Sequence, residues 1–186
     1  MANTVNNVTA GKPAVAGGVW RAPLGSTLPT DASTSLDAAF KCLGYVSEDG
    51  VKNNNSPESD TIKAWGGDTV LTVQTSKEDT WGLTLIEAIN LETLKAIYGA
   101  SNVTGALATG VTVKANADEQ ADAIWVFEMI LRGGVLKRVV LPDAKISEIG
   151  EITYKDDEAV GYELTLTAMP DSSGNTHYEY IKTAGT

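Results

Sequence analysis

The chain has 186 residues, of which 42% are hydrophobic, and this is enough apolar sequence for one domain with its own core. The formal net charge is −10, which argues against non-specific binding to nucleic acid or to anionic membranes because like charges repel. The single cysteine, Cys42, excludes an internal disulfide, and no apolar run approaches the roughly 18 residues of a membrane-spanning helix.

The first 18 residues are polar and small and are interrupted by glycine and proline, so we expect an N-terminal arm over residues 1–18. They contain neither the basic n-region nor the apolar h-region of a secretory signal peptide, which favours synthesis in the cytoplasm. The main domain then begins with a candidate strand, Val19–Pro23, that ends at its proline. Residues 42–47 are a second candidate strand, closed by the turn sequence Glu48-Asp49-Gly50.

The segment 50–66, GVKNNNSPESDTIKAWG, is a polar stretch of unusual length. Its three asparagines tolerate turn geometries, and Pro57 cannot occupy a central position in a hydrogen-bonded ladder. A long excursion from a compact domain is usually functional or disordered. We therefore expect residues 50–66 to form a loop, or one arm of a hairpin, that protrudes from the domain.

Two runs of alternating residues follow, 69–75 and 79–87, separated by the short charged segment Ser76-Lys77-Glu78. Alternation with a period of two is typical of a half-buried strand, so we predict a hairpin that turns at 76–78. The second run has an apolar and a polar face, formed respectively by Trp81, Leu83 and Leu85 and by Thr80, Gly82 and Thr84.

One segment has the pattern of a helix. Leu91, Leu94 and Tyr98 fall at positions i, i+3 and i+7, Asn90 stands at the N-cap, and Gly99 follows the last turn. This predicts a helix of about two turns that covers one face of a sheet.

The remaining elements are predicted as strands. Residues 146–152 carry isoleucine at every third position, which we interpret as a strand bulged near Gly150, with a helix as the alternative. The other predicted strands are 111–114, an apolar central strand at 124–131, 135–141 stopping at Pro142, 161–169, and a C-terminal strand or arm within 177–186. The domain spans 19–176, and the fold class is mainly antiparallel β with one short flanking helix.

The sequence offers no candidate catalytic, cofactor-binding or metal-binding residues. One histidine cannot supply a zinc site, and His177 stands in a terminal strand where we expect a surface residue rather than a member of a triad. The carboxylates at 48–49, 78–79 and 156–158 fall at predicted turns, where solvated charge is the simpler interpretation than a glycosidase pair or a calcium loop. We therefore predict a protein that is not an enzyme.

The tryptophans separate into two kinds. Trp81 and Trp125 stand on apolar strand faces and are predicted to be core residues. Trp20 and Trp65 could form a carbohydrate-binding platform, and Trp65, beside Gly66-Gly67 at the end of the polar excursion, is a candidate anchor for a partner surface.

Four segments carry a resemblance to a known family: VTAGKPAVAGGVWRAPLGSTLPTDA at 8–32, LGYVSEDGV at 43–51, ESDTIKAWGGDTV at 58–70 and HYEYI at 177–181. Over nearly its whole length the chain resembles the major tail proteins, or tail tube proteins, of long-tailed, siphovirus-type bacteriophages. The resemblance implies a β-sandwich or partly closed barrel with a helix at its side. It also implies a virion protein that is made and assembled in the bacterial cytoplasm.

The same resemblance implies a structural function. Six copies would form a ring with a continuous β-barrel as its inner wall, and stacked rings would form a tube that conducts DNA without binding it specifically. Partners would be further copies and other tail proteins such as the tape measure, tail tip and terminator, with no cofactor and no membrane. The arm at 1–18 and the excursion at 50–66 match the parts that reach neighbouring subunits. The candidate contact residues are Lys12, Pro13, Asn53, Asn54, Asn55, Pro57, Glu58 and Trp65.

Two other functions remain open from the residues. The chain could be a carbohydrate- or receptor-binding β-sandwich of a virion or cell surface, using Trp20 or Trp65, or a glycosidase using two turn carboxylates. A tube subunit polymerises without ligand, a lectin binds sugar without polymerising, and an enzyme loses activity when one carboxylate is changed.

Overall fold

The computed structural model describes residues 3–183, so residues 1–2 and 184–186 of the two expected arms lie outside the described residues. The protein is mainly antiparallel β with one α-helix, α1 (Leu91–Tyr98), which confirms the predicted fold class. The strands are β1 (Gly11–Pro13), β2 (Val19–Pro23), β3 (Lys41–Cys42), β4 (Lys52–Lys63), β5 (Thr69–Leu85), β6 (Val103–Ala106), β7 (Gly110–Val113), β8 (Ala123–Leu131), β9 (Leu136–Ile149), β10 (Tyr162–Ala168) and β11 (Tyr178–Lys182).

Nine of these strands form one antiparallel sheet, whose path runs β3-β2-β8-β9-β10-β5-β4, while β6 and β7 form a separate hairpin. β1 extends the β2 ladder along β8, and β11 shares an edge of β9 with β10. The segment 43–47 connects the two ends of the sheet. Leu43 donates its N–H to the Val19 carbonyl at 3.0 Å, and Ser47 donates to the Thr84 carbonyl at 2.9 Å. The 43–47 segment therefore bridges the two ends of the sheet.

The core lies on both faces of β8, because its side chains alternate between two buried clusters. Trp125 and Phe127 point into the larger cluster, where the Phe127 ring stacks on Trp81 with centroids 5.3 Å apart. Ile124 and Val126 belong to the smaller cluster, which is covered by residues of the 22–40 segment. The central strand predicted at 124–131 is confirmed, as are Trp81 and Trp125 as core residues.

Helix α1 forms where its capping residues predict it. The Asn90 side chain accepts a hydrogen bond from the Glu92 N–H at 3.0 Å, and Gly99 ends the helix with a positive φ of 91°. The buried Thr93 hydroxyl donates to the Leu43 carbonyl at 2.6 Å, which fixes the helix against the segment that closes the sheet.

The predicted turn at 76–78 is wrong. β5 is one continuous strand of 17 residues, and its partner is β4, with Lys52 opposite Gly82 and Lys63 opposite Thr69. The chain turns instead at 64–68, where Gly66 and Gly67 adopt positive φ. Charged residues do not interrupt a strand whose two faces are both exposed to water, and this part of β5 is exposed throughout.

The predicted stop at Pro142 is also wrong, because β9 continues through it to Ile149. Ala123 pairs with Ala144 and Trp125 with Leu141, so two residues of β9, Pro142 and Asp143, face one residue of β8. This is a bulge, the place where a proline fits within a sheet because no ladder hydrogen bond is required of it. A second register shift leaves out Ser147, three residues before the predicted bulge at Gly150, and the strand interpretation prevails over the helix.

The remaining differences concern strand lengths. Gly11–Pro13 pairs with β8, so the predicted N-terminal arm contains a short strand, while the candidate strand at 42–47 is reduced to β3 and an isolated bridge between Val46 and Leu85. The division into an arm at 1–18, a domain at 19–176 and a C-terminal arm at 177–186 stays a prediction.

Phe127 provides a test of the core. Replacing it with alanine removes a buried aromatic ring from the contact with Trp81, so we expect Phe127→Ala to lower the free energy of unfolding by about 3–5 kcal/mol. Urea denaturation measures this, with Val113→Ala in the exposed β7 strand as the control. Equal midpoints for the two variants would show that β8 is not at the centre of the core.

Candidate assembly surface

The predicted contact residues fall into two groups. Lys12 and Pro13 lie on β1, and both are exposed. Trp65 lies in the turn at 64–68, and the other five lie on β4: Asn53, Asn54, Asn55, Pro57 and Glu58. We call residues 52–78, which comprise β4, the turn and the first ten residues of β5, the hairpin arm.

The hairpin arm projects from the domain. Residues 69–78 of β5 are exposed without exception, whereas the strand alternates between buried and half-buried from Asp79 onward. Along β4 only Asn55 is half-buried. At about 3.3 Å per residue, the twelve residues of β4 span about 40 Å. The arm is therefore a two-stranded ribbon, and the protrusion expected at 50–66 is its first strand and part of its turn.

The outer half of the hairpin arm carries exposed apolar side chains. Ile62 and Leu71 face each other across the two strands, and each is more than half exposed. Val70 and Val73 are exposed beside them, and Trp65 is fully exposed at the tip. Apart from Trp65, these residues were not predicted as contact residues. The alternation at 69–75 was visible in the sequence, but alternation does not show what covers the apolar side chains.

A buried carboxylate holds the base of the hairpin arm. Asp79 is 2% exposed and accepts hydrogen bonds from Asn53 Nδ2 at 2.7 Å, Thr176 Oγ1 at 2.5 Å and His177 Nδ1 at 2.5 Å. These donors come from β4 and from the segment before β11, so one side chain ties both to β5. The second carboxylate of the predicted turn at 78–79 is thus a structural group inside a strand.

The pKa of Asp79 is set by two opposing effects. Burial alone raises the pKa of this carboxyl, but the hydrogen bonds from Thr176, His177 and Asn53, together with the His177 charge, outweigh it and lower the pKa below its usual value. An ionised carboxylate only accepts hydrogen bonds, so the His177 Nδ1 carries a proton in this contact.

His177 is not the simple surface residue that was predicted. Its side chain is 18% exposed and packs edge-on against the Trp81 ring, with centroids 5.3 Å apart. The Thr176 hydroxyl donates to the same carboxylate oxygen that His177 contacts, and not to the imidazole. In a catalytic triad the histidine accepts from the nucleophile, so this arrangement serves as an anchor.

A cavity of about 840 Å³ lies at the base of the hairpin arm, between the 11–18 segment and the 44–51 segment. Val46, Val51 and Met129 contribute apolar lining. Val15 and Tyr45 also line it, and they are 98% and 72% exposed. Lys12 and Pro13 line the same cavity, so the predicted contact residues of β1 lie on its wall.

The face of the sheet opposite the large core cluster is polar along β5, β10 and the end of β9. Register places Thr165 beside Gly82 and Glu148, and Thr167 beside Thr80 and Lys145. The polar residues of the alternating runs predicted at 79–87 and 161–169 therefore lie on one surface, which also includes Thr84 and Glu163.

The comparison with family models supports one of the functions left open by the sequence. The model of the phage tail tube protein family matches residues 1–185. The chain belongs to the phage tail tube protein family. This confirms the resemblance and makes the chain a structural protein of the virion tail that assembles with itself and with other tail proteins. No curated protein matches the chain in a sequence search.

Two further findings concern the part of this tail tube protein that the structure describes. Within residues 3–183 there is no helix long and apolar enough to cross a membrane. In the same part of the chain, no three His, Cys, Asp or Glu side chains are grouped so that they could hold a metal ion.

Of the two tryptophans considered for a sugar platform, Trp20 is half-buried and donates its indole N–H to the Gly17 carbonyl at 3.2 Å. Trp65 alone does not make a platform.

The Asp79 anchor predicts a specific pH dependence. Because its pKa is lowered in the folded protein, its contribution is fully present above the usual carboxyl pKa of about 4 and is lost as the pH falls through the folded value. At pH 7 we expect Asp79→Asn to lower the free energy of unfolding by about 1–3 kcal/mol. The difference from wild type should shrink at pH 3, as measured by urea denaturation at both values.

Asp60→Asn is the matched control, because this substitution removes the same negative charge from an exposed position on the hairpin arm. It should leave stability nearly unchanged at both pH values. An Asp79→Asn defect of equal size at pH 7 and pH 3 would contradict the assigned role of the ionised carboxylate.

Proposed function

We propose that this protein polymerises into stacked hexameric rings that form the tail tube, the conduit for DNA ejection into the host, and that assembly takes place in the host cytoplasm. The observation that carries the proposal is the hairpin arm, whose apolar side chains are exposed in the subunit. The tape measure, tail tip and terminator proteins are the further partners expected for such a tube.

The arm needs a partner surface for two physical reasons. An isolated two-stranded ribbon is marginally stable in water, so a third strand or a packed surface is required for order. The apolar side chains of Ile62, Leu71 and Val73 also gain free energy when another surface removes them from water. In a self-assembling family, the partner present at the highest local concentration is another copy.

The edge of β4 supports a contact through backbone groups as well. β4 is the last strand of the sheet path, so among the described residues one of its edges has no neighbouring strand. Unpaired N–H and C=O groups along such an edge are a template for pairing with another chain. Pro57 interrupts the row of donors, which limits how far pairing could extend along Asn53, Asn54, Asn55 and Glu58.

The polar face of β5, β10 and β9 is the surface we assign to the channel. Its hydroxyl groups from Thr80, Thr84, Thr165 and Thr167 keep it wet, and Glu148 and Glu163 add negative charge, while Lys145 on the same face forms an ion pair with Glu119. Carboxylates repel phosphate groups, and no counterion is released on contact as it is with lysine and arginine. A duplex can therefore slide past such a wall without adhering to it.

Removal of the outer hairpin arm tests the assembly function. Replacing residues 58–76 by Asn-Gly joins Pro57 to its cross-strand partner Lys77 through a two-residue turn and leaves the Asp79 anchor intact. We expect a folded subunit that melts close to wild type, because the removed residues are exposed. We expect it to form neither rings nor tubes in negative-stain electron microscopy under conditions where wild type forms them.

A second variant retains the arm and removes only its apolar side chains, by Ile62→Thr, Leu71→Thr and Val73→Thr. The same loss of assembly is expected, whereas Thr61→Ser and Thr72→Ser on the paired neighbouring positions should assemble normally. Tubes of normal length from both arm variants would overturn the proposed role of the arm.

The channel assignment is tested with a single thiol. Glu163→Cys in a Cys42→Ser background should react in the free subunit with both a small maleimide and a maleimide attached to a large protein. In assembled tubes it should react only with the small reagent, because the large one cannot enter the channel. Reaction with both reagents in tubes would place this face on the outside, and reaction with neither would place it in a subunit interface.

A further inference from the structure

The tip of the hairpin arm presents one large aromatic side chain in a fixed turn. The Ala64 N–H donates to the Asp68 carbonyl at 2.7 Å, and the Gly67 N–H donates to the Ala64 carbonyl at 3.0 Å. Trp65 stands in this turn and is fully exposed. Buried tryptophan contributes more to protein interfaces than most residues, so its full exposure at a tip indicates a knob that inserts elsewhere.

The cavity at the base of the arm has the size and lining to receive an indole ring. Its volume of about 840 Å³ is within the range of ligand-binding pockets. Val46, Val51 and Met129 offer apolar contacts, and Val15 and Tyr45 leave apolar surface exposed that a ligand would cover. A single protein thus carries an exposed aromatic knob and an open apolar cavity.

The knob cannot occupy the cavity of its own subunit. Gly50 and Val51 line the cavity and immediately precede β4, so the cavity lies at the base of the arm. The tip lies twelve strand residues further on, or about 40 Å along the ribbon. Only the tip of a second copy can reach the cavity.

We propose that Trp65 of one copy binds in the cavity formed by residues 11–18 and 44–51 of another copy. The proposal rests on the proposed tube function and names the contact that links its subunits. The knob and the cavity are different surfaces, so the contact is heterologous, and each copy still has a free knob or a free cavity after binding. Contacts of this kind repeat into rings or open filaments, whereas a contact between two identical surfaces stops at a dimer.

Charge favours the same pairing. At the tip, Lys63 is exposed two residues before Trp65 and Asp68 is exposed three residues after it. In the cavity lining the carboxylates Glu48, Asp49 and Glu87 outnumber the one lysine, Lys12, so the nearest favourable pair is Lys63 with this acidic lining. Opposite charges beside a buried anchor guide its orientation more than they add affinity. The knob buries about 150–250 Å², far less than the roughly 800 Å² per partner of a stable complex. The contact therefore acts together with the rest of the arm and not alone.

Site-specific cross-linking tests the proposal. In a Cys42→Ser background, Ala64→Cys places a thiol beside the intact knob, and Val15→Cys places one at the cavity. The two variants are assembled together and treated with a short bis-maleimide. We expect a cross-linked dimer from the mixture and none from either variant assembled alone. Leu107→Cys, exposed on the β6–β7 turn, replaces Val15→Cys as the matched control and should give no dimer with Ala64→Cys.

The outcomes separate this contact from the tube function. Tubes that form without the mixed dimer, or dimers of Ala64→Cys with itself, overturn the knob-in-cavity contact and leave the tube function standing. Failure of wild type to form rings or tubes at any concentration overturns the tube function and this contact with it.

A second measurement does not depend on a cross-linker. Trp65→Ala should raise the protein concentration needed for assembly by about 30-fold, the loss typical of a truncated anchor residue. Tyr154→Ala, which removes another exposed aromatic side chain that lies outside the cavity, should leave that concentration unchanged. Equal effects from the two variants, or no effect from Trp65→Ala, would overturn the proposal.

Discussion

The structure depends on one strand that serves two environments. β5 is a core strand from Trp81 to Leu85, where alternate side chains are buried, and the second strand of the hairpin arm from Thr69 to Glu78, where every side chain is exposed. The change occurs at Asp79, whose burial would be costly without partners. Three hydrogen bonds satisfy it, and their donors come from β4 and from the segment before β11. A single carboxylate thus fixes the register at which the arm leaves the domain and holds the segment before β11 against β5.

Sequence patterns correctly predicted the helices and strands that are determined by residues close together in the chain. The helix follows from Asn90, Gly99 and the apolar spacing between them, and β8 follows from an apolar run on both faces. The hairpin failed because strand pairing is not local: the residues that pair with 69–82 lie in 52–63, a segment with no apolar alternation. Pro142 was misjudged for a related reason, since a bulge appears only when the partner strand is known. Asp79 and His177 are 98 positions apart, so nothing in the sequence joins them.

The candidate assembly surface likewise has some features that could be predicted from the sequence and others that could not. Asparagine, proline and a tryptophan beside two glycines showed that 50–66 leaves the domain, and the exposed knob at Trp65 could be predicted from that context. The exposure of Ile62, Leu71 and Val73 could not, because an apolar face is identical in sequence whether its own core or another chain covers it. The cavity could be predicted from the sequence even less. It is formed mainly by two segments, 11–18 and 44–51, that become neighbours only when β1 pairs with β8 and the 43–47 segment connects the two ends of the sheet.

In the proposed tube, opposing forces keep assembly controlled. A net charge of −10 repels free subunits from one another and keeps them dispersed, while the exposed apolar residues of the arm attract them. The knob alone buries too little surface to hold two subunits, so a free pair separates. A subunit that adds to the end of an existing tube forms several contacts at once, through the knob, the exposed apolar residues of the arm and the β4 edge. The second and third contacts form at high effective concentration. Growth at an end is therefore favoured over new nucleation, and because knob and cavity differ, every subunit adds in the same direction.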